Sequence, residues 1–276
     1  MLFDLPMCFI ATRLSWRHPA RRVMAGLLFL VALAAASPAE NKTSTDADAG
    51  NTFYTPKRDL DGLRNDGPDD PDLPNVLLIG DSISIGYTTP VVELLRGTAN
   101  VRRPNVNCGD TDAGLKGLTK WLGEKKWDVI HFNWGLHDLC YRNPEVKTVG
   151  NKDKVNGRQS VPPDTYGKNL ELLVQMLRGT GAKLIWASTT VVPEGEPGRF
   201  AGDEIKYNEI ARQVMDRHGI PVNDLHALTA GFDGKYSARP RDVHYSKEGS
   251  GKIASQVARA IRSLGLGETL TPEPSP

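Results

Sequence analysis

From Asn75 onward, short apolar runs alternate with stretches whose apolar residues recur at helical spacing. Val76-Leu77-Leu78-Ile79 is continuous and stops at Gly80, the pattern of a strand covered on both faces. Further extended pieces are predicted over residues 100–106, 127–134 and 183–190, and Ile220-Pro221-Val222 opens a fifth. Between them lie helical patterns. Residues 89–95 read as a short helix, and Leu115, Leu118 and Leu122 mark a second. Tyr166, Leu170, Leu173, Val174 and Leu177 mark a longer one that stops at Gly179. Ile205, Ala211, Val214, Met215 and His218 line the next, ended by Gly219, and Ile253, Val257, Ile261 and Leu264 face the core from the last. Strand–helix alternation of this kind predicts a three-layer α/β/α sandwich around a parallel sheet. In such sheets the ligand crevice lies beyond the carboxyl ends of the strands.

The ends of the chain read differently. Residues 24–36 are apolar, follow Arg17, Arg21 and Arg22, and lead into Ala36-Ser37-Pro38-Ala39. A basic segment, a short apolar core and small residues at a cleavage zone predict a signal peptide over residues 1–39. The apolar run is short for a membrane span, so no span is expected after cleavage, and the product is expected to be exported, periplasmic or extracellular. An uncleaved anchor is the alternative. Residues 40–74 are rich in Asn, Thr, Asp, Gly and Pro and predict a solvated linker. Their aspartates lack the spacing of an EF-hand loop. The folded domain is placed at residues 75–264, and the Pro-rich residues 265–276 are read as a disordered tail.

Composition narrows the function. Lys and Arg number 34 against 33 Asp and Glu, so there is no global basic field for nucleic acid. Removing residues 1–39 takes away four arginines and one aspartate, moving the formal charge from +1 to −2. It also leaves two of three cysteines, Cys108 and Cys140, open to a disulfide in an exported protein or to a pair of buried thiols. There is no Cys-x-x-Cys pair and no paired-histidine spacing for a metal, and neither metal nor cofactor is expected.

The predicted strand ends carry the chemistry. After the first comes Gly80-Asp81-Ser82, a serine at a helix start, where backbone N–H groups favour developing negative charge. Ser82 reads either as a nucleophile or as a helix cap. The second is followed by Asn107-Cys108-Gly109-Asp110-Thr111, where Gly109 offers an unshielded N–H. The third is followed by Trp134-Gly135-Leu136-His137-Asp138. Arg241-Asp242-Val243-His244 precedes the last helix and reads either as the base with a carboxylate orienter that a serine nucleophile needs or as a local turn in which Asp242 caps backbone.

These four features, in this order, resemble the SGNH hydrolase superfamily of GDSL-type esterases and lipases over residues 75–264. The resemblance implies a flavodoxin-like five-stranded parallel sheet of order 2-1-3-4-5 and no cofactor. It implies a serine ester hydrolase with Ser82 as nucleophile, His244 as base and Asp242 as orienter. The Ser82 and Gly109 N–H groups would form the oxyanion hole with His137. Two positions depart from the family pattern. His137 stands where the family has asparagine; neutral imidazole donates an N–H only in the right tautomer. The carboxylate lies two residues before His244, with Arg241 at the usual position three before. Either the loop closes by one residue, or His244 is oriented by another group and a Ser–His dyad remains.

A polar segment between Leu139 and Pro163, carrying Arg142, Lys147, Lys152, Lys154 and Arg158, follows the third strand and is placed at the pocket rim. Its few apolar residues suit a small-molecule or glycan ester substrate, such as an acetylated sugar, better than a long-chain lipid. Trp134 is a candidate stacking face or a core residue. The rival readings are a catalytically silent carbohydrate-binding protein and a thioesterase or lysophospholipase.

Overall fold

Five short strands carry the sheet in the computed structural model, which describes residues 68–266. They are β1 (Asn75–Ile79), β2 (Asn100–Arg102), β3 (Val129–Phe132), β6 (Lys183–Ala187) and β7 (Val222–Asn223), while β4 (Tyr141–Arg142) and β5 (Arg158–Gln159) pair antiparallel elsewhere. The sheet order is β2-β1-β3-β6-β7, all parallel, which is order 2-1-3-4-5 when its own strands are counted. The central register sets Val76 against Val129 and Ile79 against Phe132. Every residue of β3 is buried, including His131, because helices cover both faces.

The helices are α1 (Ser82–Leu94), α2 (Thr111–Leu122), α3 (Pro163–Arg178), α4 (Asp203–His218), the short α5 (Leu225–Ala230) and α6 (Lys247–Arg262). Helix α1 is longer than the predicted helix over 89–95, which lacked its first seven residues. Pro90, a helix breaker in sequence, lies inside α1, and Ile83, Ile85, Tyr87 and Val91 are its buried apolar face. Gly86 brings α1 close to α6: a Cβ there would lie 3.2 Å from Ser250 Oγ. In α6, Ile253, Val257 and Ile261 face the core as predicted, whereas Ile205 of α4 is 49% exposed and Ala211, Val214 and Met215 carry that helix's packing. Trp134 is fully buried, so it belongs to the core and is not a stacking face. Cys108 and Cys140 are buried free thiols.

Residues 68–74, expected to close the linker, are anchored to the domain. The Asn100 side chain donates to the carbonyls of Asp70 and Leu73, and Asp69 pairs with Arg102 and Lys125. The predicted signal peptide, most of the linker and most of the tail lie outside the described residues. Among those described, no helix is long and apolar enough to cross a membrane.

Candidate active site

The turn between β1 and α1 fixes Ser82. Asp81 caps the helix, its side chain accepting the Ile83 N–H at 2.9 Å, so Ser82 is the first helical residue and its own N–H has no intrahelical acceptor. Gly80 is required by space: an added Cβ would lie 2.9 Å from Ser84 Cβ. Ser84 Oγ donates back to the Asp81 carbonyl at 2.7 Å, closing the turn. The capping role belongs to Asp81 and not to Ser82, which leaves the Ser82 hydroxyl free for other work.

The loop between α5 and α6 delivers His244. It is folded back on itself by the Ala238 N–H to the His244 carbonyl (2.8 Å) and the Ser246 N–H to the Tyr236 carbonyl (2.7 Å). Val243 is buried, anchoring the chain between Asp242 and His244. Arg241 takes a left-handed φ of 60°, a sharp bend directly before Asp242. Asp242 then accepts the His244 N–H on Oδ1 at 3.1 Å, an Asx-type turn that curls the carboxylate toward its second neighbour. The same Oδ1 lies 2.6 Å from His244 Nδ1, and His244 Nε2 lies 2.8 Å from Ser82 Oγ. A carboxylate two residues before His244 therefore reaches its imidazole in this structure. With Nδ1–H directed at the carboxylate, Nε2 is the acceptor facing the serine. Partial burial pushes the Asp242 carboxyl up, but the hydrogen bonds from the His244 ring and backbone and the nearby positive charge outweigh it and hold it below the ordinary value.

Gly109 and His137 occupy the neighbouring strand ends. Gly109 has φ 61°, and its N–H donates to Asn107 Oδ1 at 3.0 Å, so an incoming oxyanion would have to displace that side chain. His137 is half-buried and its ring has no hydrogen-bond partner among the described residues. Burial lowers its pKa; Asp81 and Asp110 act against this, and Arg199 and Arg142 act with it. Burial thus favours the neutral ring, the form with one N–H to donate and one nitrogen to accept.

Two features under these loops escaped the sequence reading. Gly135 packs so closely on β6's exit that a Cβ would lie 2.0 Å from Thr189 Oγ1. Asp138 is buried, and its Oδ1 accepts from both the Thr111 N–H (2.8 Å) and hydroxyl (2.6 Å), tying the His137 loop to the start of α2 beside Gly109. Burial outweighs those hydrogen bonds and raises its pKa to about 8, favouring the protonated carboxyl. Its adjacency to His137 in the motif was the available signal. No group of three or more His, Cys, Asp or Glu side chains among the described residues is arranged to hold a metal ion.

Residues 78–252, well over half of the chain, match the model of the GDSL-like Lipase/Acylhydrolase family. The chain belongs to this family. It is a carboxylic ester hydrolase by that membership. Solved structures share the fold at low identity. A lipase/acylhydrolase from Enterococcus faecalis is 20% identical with a TM-score of 0.57, over 70% of this chain and 97% of the other. The acetyl xylan esterase AlAXEase is 18% identical with a TM-score of 0.55, over 68% and 99%. An acetylxylan esterase from Geobacillus stearothermophilus is 19% identical with a TM-score of 0.55, over 68% and 94%. No curated protein matches the chain.

Proposed function

We propose that this hydrolase cleaves small acyl esters, acetyl esters of carbohydrate in particular, through an acyl-enzyme on Ser82. The observation that carries the proposal is the continuous relay from Ser82 Oγ through the His244 ring to Asp242 Oδ1, at 2.8 and 2.6 Å. His244 Nε2 takes the Ser82 proton as Oγ attacks the ester carbonyl. The tetrahedral oxyanion forms at the N-terminus of α1, where the Ser82 N–H, the Gly109 N–H and the His137 ring are its donors. His244 then protonates the departing alcohol, leaving the acyl group on Ser82 Oγ. Water, deprotonated by His244, attacks that carbonyl, and the second tetrahedral intermediate collapses as His244 returns the proton to Ser82 Oγ, releasing the acid and restoring the serine. Asp242 stabilises the imidazolium in both halves.

The carbohydrate assignment rests on the rim and on the neighbours. The rim segment after β3 is polar, and two of the structures of similar fold are named as acetyl xylan esterases. An open site agrees with a bulky polar alcohol: the His244 side chain is 44% exposed. A panel of nitrophenyl esters of increasing chain length and acetylated glycans, run on wild type and Ser82→Ala, tests both parts. Acetyl esters should turn over fastest, with all activity lost in the variant. Preference for long acyl chains would point to a thioesterase or lysophospholipase, and saccharide affinity without turnover to a silent binder.

Export is proposed from the sequence alone: the basic, apolar and small-residue segments within residues 1–39 support it. N-terminal sequencing of the protein recovered from fractionated cells tests it; an intact N-terminus in the cytoplasm would contradict it.

A further inference from the structure

Behind the His137 loop lies a buried ion network that the reaction as described does not use. Arg199 and Glu196 are 4% and 1% exposed, yet both carry charge. Arg199 donates from one terminal nitrogen to Glu196 Oε1 at 2.8 Å, and Lys152 Nζ reaches the same oxygen at 2.6 Å. Glu196 Oε2 accepts the Gly198 N–H at 2.6 Å, so both carboxylate oxygens are satisfied. The remaining contact is the informative one: Arg199 Nε donates to the Leu136 carbonyl at 2.7 Å, across 63 residues of sequence. That carbonyl belongs to the peptide whose nitrogen is His137's own.

We propose that Arg199 is a positioning residue for the oxyanion side of the site. Its guanidinium, anchored by Glu196, fixes the Leu136 carbonyl and so the orientation of the peptide that carries His137. A buried ion pair is costly and is often no more stable than apolar residues of equal volume, so it is better explained by what it positions than by stability. Only a planar fork satisfies this geometry, because Nε and a terminal nitrogen must bond a carbonyl and a carboxylate at once. The opposite face of the loop is already fixed: Gly135 abuts Thr189, and Asp138 is held by Thr111. Arg199 supplies the third restraint, between those two. The guanidinium charge also opposes protonation of His137, in the same sense as burial and Arg142 and against Asp81 and Asp110. The inference rests on the reading of Ser82 as nucleophile and His137 as oxyanion donor.

The test is a double-mutant cycle with nitrophenyl acetate as substrate. Arg199→Lys keeps the charge facing Glu196 but loses the fork. Arg199→Met combined with Glu196→Gln removes the pair without stranding a buried carboxylate. Each is measured alone and with His137→Ala, alongside thermal melts. Either change should lower kcat by about tenfold with KM nearly constant, since a displaced donor weakens transition-state contacts more than substrate binding. In the His137→Ala background the same changes should cost less than about twofold, because the donor they position is gone. An undiminished kcat, an equal loss in both backgrounds, or failure of both variants to fold would overturn the inference. Full activity in Ser82→Ala would instead sink the nucleophile reading. An inactive Ser82→Ala and an impaired His137→Ala, with additive Arg199 effects, would sink this inference alone.

Discussion

Replacing Asp242 by Asn and by Ala should separate the two tasks of the orienting carboxylate. One atom, Oδ1, accepts both the His244 backbone N–H at 3.1 Å and the ring Nδ1–H at 2.6 Å. An amide oxygen can occupy that position and accept both bonds, so Asp242→Asn keeps the ring orientation and tautomer and loses only the charge. The charge acts on an imidazolium in a half-open site, with 27% of the Asp242 and 44% of the His244 side chain exposed. At an effective dielectric between the surface and bulk-water limits, the attraction lost is about 1–2 kcal/mol. That corresponds to a fall in kcat of roughly tenfold. Asp242→Ala loses the charge, the charge-assisted hydrogen bond and the turn, and should cost about 10²–10³-fold. This ranking is opposite in spirit to a deeply buried triad, where the amide imposes the wrong tautomer and costs about 10⁴-fold. Initial rates with nitrophenyl acetate, fitted for kcat and KM and paired with thermal melts, measure it. Asparagine as damaging as alanine, or alanine at wild-type kcat, would refute the reasoning.

Other outcomes follow from packing and burial. Gly135→Ala places a Cβ 2.0 Å from Thr189 Oγ1, and Thr189 is itself held by Asn208 through both its N–H and its carbonyl. Denaturant midpoints should show a loss of about 1–3 kcal/mol, and an unchanged midpoint would mean the loop yields freely. Arg241→Gly, at φ 60°, should fold with equal or slightly higher stability and retain activity, whereas Arg241→Pro should lose the Asp242–His244 contact and most turnover. His131 is fully buried, and burial lowers its pKa from 6.5 to about 4. Between those values the unfolded chain binds a proton that the native chain refuses, so this group makes stability fall as pH drops through that window. The loss is up to about 3 kcal/mol by pH 4, and a His131→Gln variant should lack this component of the pH–stability curve.

The sheet was legible because its strands are buried on both faces and therefore read as unbroken apolar runs, most clearly at Val76–Ile79. Strand ends were over-extended: the predicted pieces over 100–106 and 183–190 pair only over Asn100–Arg102 and Lys183–Ala187. What ends them is the absence of a neighbour to pair with, which local pattern does not encode. Most of α1 was missed because Ser82–Thr88 carries few apolar residues at helical spacing, although the predicted helix already contained Pro90. The β4–β5 pair is two residues long on each side and is docked by contacts such as the Tyr141 N–H to the Gly198 carbonyl (2.7 Å), which no periodicity reveals. At the site, Ser82, Asp242 and His244 could be named because their residue types are tied to strand ends and a helix start. The left-handed turn at Arg241 could not, since arginine carries no signal for positive φ. Glu196 and Arg199 look like ordinary loop charges in sequence, and only burial shows that they reach the Leu136 carbonyl.

The central claim is that an acyl group passes through Ser82. Rapid quenching of the enzyme mixed with nitrophenyl acetate, followed by peptide mass mapping, tests it directly. An acetyl adduct confined to the Ser82 peptide and formed in a burst is the predicted result. An adduct on another residue, or steady turnover by Ser82→Ala with none at all, would contradict it.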